Sequence, residues 1–350
     1  MKGKQGLVCM GLLLVLSSCS CHTGKQITAS GLQRKDFQTE VNGQHTDLFT
    51  LSNKQGMEVC ITNYGARVVS ILVPDRNGKR EDVVCGFSTI TEYMEQRQNF
   101  GSTVGRYIGR ILNARFTLDG VEYKLVPNNG KSGHISHGGN PGFADRIWKV
   151  EQADTHRVRL SYLSPDGENG FPGNLKVTLV YSLGEDDNAL DLTYEATTDA
   201  PTVLNLSHHS FFNISGNFTK SVEDQQLWVD ADRFTPYDDK KCVTGEYLQV
   251  AGTPLDFRMP HAIGECIDAD HPQLKVVNGY DHTWELNTKG DDTRPAVWVY
   301  DPASGRKMEI FTTEPGMQIY TGNGLKGKMT GKGGIAYPFR SAVCFETMHF

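Results

Sequence analysis

Apolar residues in this chain recur with the period of a β-strand. From residue 48 to the C terminus they alternate with polar ones in short runs, each closed by turn-forming residues. Side chains of an extended strand point to opposite faces in turn, so a period of two builds half-buried strands rather than one face of a helix. Residues 57–62, Met57-Glu58-Val59-Cys60-Ile61-Thr62, show it plainly and end in the Asn63-Tyr64-Gly65 turn. The apolar run 68–73 stops at Pro74-Asp75-Arg76-Asn77-Gly78. Further strands are predicted at 158–163, 175–183, 190–197, 203–214, 296–300, 308–312, 317–320 and 342–346. Gly184-Glu185-Asp186-Asp187-Asn188 is a short connecting turn, Asp199-Ala200-Pro201 breaks the chain, and the 37 glycines suit many turns. The best helical candidate, 90–97, is short. The pattern predicts one large all-β domain, an antiparallel sandwich or barrel.

The first residues follow another pattern. Lys2 and Lys4 precede an apolar run over 7–16. That run is too short for a membrane span of about 20 residues and has the makeup of a signal-peptide core. Leu16-Ser17-Ser18-Cys19 resembles a bacterial lipoprotein box, in which the Cys becomes the lipidated first residue. An ordinary cleaved signal is the alternative. The expectation is a lipoprotein-type signal peptide over 1–19, a polar tether over 20–40 and the β domain over 41–350. The protein would be exported, periplasmic or membrane-anchored, and would meet the membrane only through a lipid on Cys19.

Composition excludes some partners. The formal net charge is -6 and no long basic tract occurs, so nucleic-acid binding has no electrostatic support. Outside the leader, Cys60, Cys85, Cys242, Cys266 and Cys344 are scattered, with no Cys-x-x-Cys pair. That spacing argues against a zinc site or a dense disulfide framework, and most of them read as small buried residues. One disulfide stays open.

Reactive groups concentrate in a few places. His134-Ile135-Ser136-His137-Gly138-Gly139 sets an imidazole on a tightly bending loop. In Asn205-Leu206-Ser207-His208-His209-Ser210-Phe211-Phe212-Asn213, strand geometry sends His208 and His209 to opposite faces, so they cannot both serve one site. Gly279-Tyr280-Asp281-His282 places a carboxylate between an aromatic ring and an imidazole. In Cys344-Phe345-Glu346-Thr347, a Glu follows apolar residues near the end of a strand. Desolvation there would raise its pKa and strengthen it as a base. The bland alternative for Glu346 is a structural pair with Arg110 or Arg340. Metal ligation by His134, His137, His208 and His209, with Glu346, has weak spacing support, and no metal is expected. Gly322-Asn323-Gly324-Leu325-Lys326-Gly327-Lys328 matches most of a phosphate-loop pattern. Met329 replaces the required hydroxyl, though, and no helix follows, so a flexible loop is expected.

Taken in order, these clusters resemble the galactose mutarotase (aldose 1-epimerase) family from about Leu48 onward. Gly105-Arg106-Tyr107-Ile108-Gly109-Arg110-Ile111 resembles its arginine motif, with Arg110 in the sugar-binding place. His137 matches the His of its His-Gly-Gly motif. Ser164-Pro165-Asp166-Gly167-Glu168-Asn169-Gly170-Phe171-Pro172-Gly173 looks like a signature loop. His209 matches the general acid, Asp281 a sugar-binding aspartate and Glu346 the general base. Gln318 takes a substrate-lining position within Thr312-Thr313-Glu314-Pro315-Gly316-Met317-Gln318-Ile319-Tyr320-Thr321-Gly322-Asn323. Gly109 and His208 stand where many members have Asn. Members usually continue through another loop and a closing strand, so a C-terminal truncation is expected that leaves the Glu346 strand short of a neighbour.

The resemblance implies a large antiparallel β-sandwich of the galactose mutarotase type, a supersandwich, with the site in an open groove. It implies interconversion of the anomers of a free aldohexose such as galactose or glucose, without a cofactor, by a monomer or weak dimer. Glu346 would take the C1 hydroxyl proton and His209 would protonate the ring oxygen, with His137 assisting. Asp281 would supply a field that keeps His209 protonated. The alternatives are a non-catalytic carbohydrate-binding protein on the same fold, a relative acting on a phosphorylated hexose, and a metal-dependent enzyme. The joint presence of His209 and Glu346 favours the enzyme.

Overall fold

The computed structural model describes residues 26–350. The leader, including Cys19, lies outside the described residues. The strand ladders pair antiparallel throughout. Strands Leu175–Leu183 and Leu190–Thr198 form where the alternation places them, in a four-stranded sheet with Lys149–Ala153 and Arg157–Ser164. A second four-stranded sheet holds Leu48–Ser52, Glu58–Thr62, Arg67–Pro74 and Arg80–Asp82. One core lies between these sheets, with Val59, Ile61, Val158, Leu160, Val177 and Leu179 among its buried members. Burying each such side chain contributes about 1.5–3 kcal/mol.

The site is carried by a six-stranded sheet. Its order is Phe211–Phe212, Val343–Met348, Gly316–Tyr320, Asp281–Leu286, Ala231–Thr235 and Leu248–Gln249. One face of this sheet supplies Val343, Phe345, Met317, Ile319, Trp284 and Leu286 to a second core, shared with the sheet that contains Gln226–Val229 and Val297–Tyr300. The opposite face therefore carries the alternate residues, Cys344 and Glu346, Gln318, and Asp281 and Thr283. The predicted helix is present as Ile90–Gln96, started by a reciprocal cap in which Thr89 accepts from the Glu92 N–H and the Glu92 carboxylate accepts from the Thr89 N–H.

Four expectations need correction. The described part of the expected tether, from residue 26 to 40, is packed rather than free. Phe37 is fully buried, Leu32 nearly so, and the Ala29 N–H donates to Glu58 Oε1 at 2.6 Å. Burial of these two side chains, with hydrogen bonds such as Arg34 Nε to Asp47 Oδ1 at 2.8 Å, holds the stretch on the domain. The strand expected over 203–214 is two short strands, Ser207–His209 and Phe211–Phe212, which belong to different sheets. The 322–328 loop is tied down: the Gly327 N–H donates to Tyr337 O, and the Gly324 N–H donates to the Tyr320 hydroxyl at 2.7 Å. Finally, the Glu346 strand has a neighbour on each side, Phe211–Phe212 and Gly316–Tyr320. The five cysteines among the described residues are free, and all but Cys266 are buried.

Candidate active site

The sheet register brings the site residues together. Gln318 lies opposite Glu346 on one side and opposite Thr283 on the other. Thr283 Oγ1 donates to Gln318 Oε1 at 3.0 Å, and Gln318 Nε2 donates to Asp281 Oδ1 at 2.7 Å. This relay orients the Gln318 amide and holds the Asp281 carboxylate. The chain entering Asp281 is gripped in turn by Asn323, whose Nδ2 donates to Tyr280 O at 2.9 Å. The second signature stretch thus serves Asp281 through Asn323 as well as through Gln318.

His209 arrives by a change of sheet. Its strand pairs with Ser102–Val104, with His209 opposite Ser102. After Ser210 the chain joins the Glu346 strand, with Phe211 opposite Cys344. The switch sets His209 Nε2 3.4 Å from Glu346 Oε1, with both side chains almost fully buried. The Gly101 N–H donates to His209 O at 3.0 Å. Gly101 has φ +66°, and a Cβ there would sit 1.8 Å from Val68 O, so only glycine allows that approach. His208 faces the other way, toward the Tyr181 ring at 5.9 Å, as strand alternation requires.

His137 joins from the His-Gly-Gly turn. Its ring centre lies 5.4 Å from that of His209, nearly edge-on. The turn is drawn against the Gly105 backbone, where a Cβ on Gly138 would lie 1.9 Å from Gly105 O. It is also held by the first signature loop, because Asn169 Nδ2 donates to Gly138 O at 2.9 Å. That loop is itself fastened by buried Arg106, which donates to Ser164 Oγ and to the carbonyls of Ser164, Pro165, Pro172 and Gly173. Arg106 and Asn169 are therefore structural supports for His137. His134 is a packed histidine that accepts the Asn113 N–H at 3.0 Å.

Arg110 sits opposite Ser136 in a two-stranded ladder. Its guanidinium lies 5.7 Å from the centre of the Tyr237 ring, and its Nε has no partner among the described residues. Arg340, the other candidate partner for Glu346, pairs instead with Glu223 and Asp268. Tyr237 and Thr283 were not anticipated from the sequence. The Tyr237 N–H donates to Gln273 Oε1 and its carbonyl accepts from Gln273 Nε2, so a distant short helix, Pro272–Val277, positions it. A broad surface hollow between Arg34, Asp47 and Glu151 lies away from this cluster and contains none of its members.

Burial sets the protonation. It pushes Glu346 well above the ordinary carboxylate range; the charge of Asp281 adds to this and Arg110 opposes it. Burial also raises Asp281 to about 6, although Arg110 and Gln318 favour its charged form. His209 is pulled down by burial to about 4. His137 is pulled down to about 3, first by burial and then by His209 and Arg110. The field of Asp281 therefore does not keep His209 protonated against its burial. Desolvation disfavours the charged form of both groups, and so favours a neutral His209 and a proton on Glu346.

A buried carboxyl and imidazole in contact, with an arginine, an aspartate and a glutamine close by, form a cluster able to exchange protons with a small polyhydroxylated molecule. Comparison with known proteins agrees. The family model for aldose 1-epimerase matches residues 47–350. Galactose mutarotase of Bos taurus is 40% identical over 300 residues, covering 85% of this chain and 84% of that protein. Aldose 1-epimerase of Escherichia coli K12 is 36% identical over 286 residues, covering 82% and 81%. The crystal structure of an aldose epimerase homologue from C. elegans superposes with a TM-score of 0.79 at 30% identity, covering 87% of this chain and 89% of that one. That of galactose 1-epimerase from Lactobacillus acidophilus gives 0.77 at 29%, with 89% of each covered. The chain belongs to the aldose 1-epimerase family. It is an isomerase that interconverts the anomers of an aldose.

Proposed function

We propose that Glu346 and His209 are the acid–base pair of this mutarotase, acting on a free aldohexose such as galactose or glucose. Opening a cyclic hemiacetal requires removal of the C1 hydroxyl proton and protonation of the ring oxygen. Each positioned transfer is worth roughly 10²–10⁴-fold. The 3.4 Å contact between Glu346 and His209 carries the reading, because it supplies one proton shared by two groups where one donor and one acceptor are needed.

A sugar entering between them presents hydroxyl donors to Glu346. Those hydrogen bonds, with the Arg110 charge, favour the carboxylate, and the proton passes to His209. Glu346 then accepts the C1 hydroxyl proton while His209 donates to the ring oxygen. Rotation about C1–C2 in the open aldehyde exposes the other carbonyl face. Reclosure runs the two transfers in reverse, so no cofactor is consumed. Neutral His137 donates a hydrogen bond beside the ring oxygen, and Arg110, Asp281 and Gln318 hold the remaining hydroxyls.

Lys2, Lys4, the 7–16 apolar run and Cys19 support export and a lipid anchor. The enzyme would then act outside the cytoplasm as a monomer or weak dimer. Polarimetry on freshly dissolved α-D-glucose and α-D-galactose tests the activity. Optical rotation that decays no faster with protein than in buffer would end the proposal. Labelling with radioactive palmitate that persists in a Cys19→Ala protein would end the lipidation reading.

A further inference from the structure

Cys344 takes no part in the sugar chemistry described above, yet it lies on the same face of its strand as Glu346. Its Sγ, a nitrogen of His209 and a carboxylate oxygen of Glu346 all lie within 4.8 Å of one another, and all three residues are buried. Bond lengths of about 2.0–2.3 Å to zinc in a tetrahedral arrangement place ligand atoms roughly 3.3–3.8 Å apart. His209 and Glu346 already stand at 3.4 Å, so only a small closure of the thiol completes three ligand positions. The fourth position falls to a water or hydroxide carried in with the cation, as at other three-ligand zinc sites. The His209 ring is held in place by stacking on Phe211 at 5.0 Å, which fixes the direction of its nitrogens.

We propose that His209, Cys344 and Glu346 form an inhibitory binding site for a thiophilic divalent cation, Zn²⁺ in the first instance. The donor set selects the metal. One sulfur, one imidazole nitrogen and one carboxylate oxygen suit zinc and its softer neighbours, whereas magnesium and calcium require oxygen ligands. Charge agrees as well: a thiolate and a carboxylate neutralise Zn²⁺ in a place where a net charge is costly. Binding replaces the thiol proton and the carboxyl proton with the metal, and both protons leave to solvent. Because the cation occupies the groups that move the substrate's protons, it competes with the sugar.

The inhibitory effect rests on the acid–base reading of Glu346 and His209; the metal site itself does not. Two measurements separate them. In the first, the full-length protein is titrated with Co²⁺ as a spectroscopic substitute. A thiolate-to-cobalt charge-transfer band in the near ultraviolet is expected, absent in Cys344→Ser and displaced by Zn²⁺. No such band in the wild-type protein overturns the site, whatever the activity. In the second, mutarotation is followed with micromolar Zn²⁺. Inhibition is expected to be competitive with the sugar and reversed by a chelator. Cys344→Ser should keep the wild-type rate without zinc and lose sensitivity by at least about tenfold, as removal of a metal contact does. Equal zinc sensitivity in Cys344→Ser places the effect elsewhere and overturns the proposal. Cobalt binding without inhibition keeps the site and overturns its inhibitory role. Cys344→Ala serves as a second variant should the serine protein fold poorly.

Discussion

Replacing Glu346 with glutamine tests the acid–base assignment most directly. The side chain is 2% exposed and keeps its shape, so folding should be unaffected. Burial favours the neutral carboxyl, and the amide is neutral too, so the substitution leaves the buried charge little changed. What disappears is the acceptor for the C1 hydroxyl proton. No neighbour replaces it: Asp281 is hydrogen-bonded to Gln318, and the Cys344 thiol is held well above its ordinary range by burial. Loss of one positioned proton transfer predicts a fall in kcat of roughly 10²–10⁴-fold. That corresponds to about 3–5 kcal/mol of barrier. KM should move only a few-fold, because Arg110, Asp281 and Gln318 still hold the hydroxyls. The assay is polarimetric decay of α-D-galactose and α-D-glucose above the spontaneous rate, with thermal unfolding as the folding control. A variant within about fivefold of the wild-type kcat would refute the role, since so small a change excludes loss of a group acting only in the transition state.

Other outcomes follow from the same structure. His209→Asn should lose a comparable factor, and the double variant with Glu346→Gln should lose scarcely more than either alone, because the two share one proton; multiplicative losses would argue against a coupled pair. Asp281→Asn should stabilise the fold at neutral pH. A carboxyl raised from 3.8 to about 6 in the folded state favours folding least when ionised, so the gain is absent below about pH 4, complete above about pH 6 and at most about 3 kcal/mol. Thermal unfolding at pH 4 and pH 7.5 checks this, and an equal shift at both would contradict it. Phe37→Ala should cost about 3–5 kcal/mol, since the ring is wholly buried. Chemical denaturation that shows no change would restore the view of residues 26–40 as a free tether.

The site was partly legible in the sequence and partly hidden, for different reasons. His137, His209, Arg110, Asp281, Gln318 and Glu346 stood in recognisable motifs, and the structure brings all six to one region. Arg106 and Asn169 looked equally prominent in their motifs, yet they act as fasteners. A motif records that a residue matters but not whether it faces substrate or backbone. Tyr237 carried no local signal because the residue that pins it, Gln273, lies 36 positions away. The helix Pro272–Val277 is too short for its two buried residues, Leu274 and Val277, to establish a helical period. The break at Ser210 was invisible for a related reason: alternation assigns a side chain to a face but does not say which sheet the strand joins.

By itself, the sequence determined the architecture class and the facing of its strands. Period-two alternation put Glu346 on the face opposite Val343 and Phe345, and separated His208 from His209. Tertiary structure alone decided that His209, from a strand in one sheet, meets Glu346, from another, at 3.4 Å. It also decided that Cys344 lies within 4.8 Å of both and that burial favours the proton on the carboxyl. Which strands become neighbours depends on register and packing across the whole chain, and the protonation state depends on how completely the fold removes water from the pair. Neither quantity belongs to any single stretch of residues.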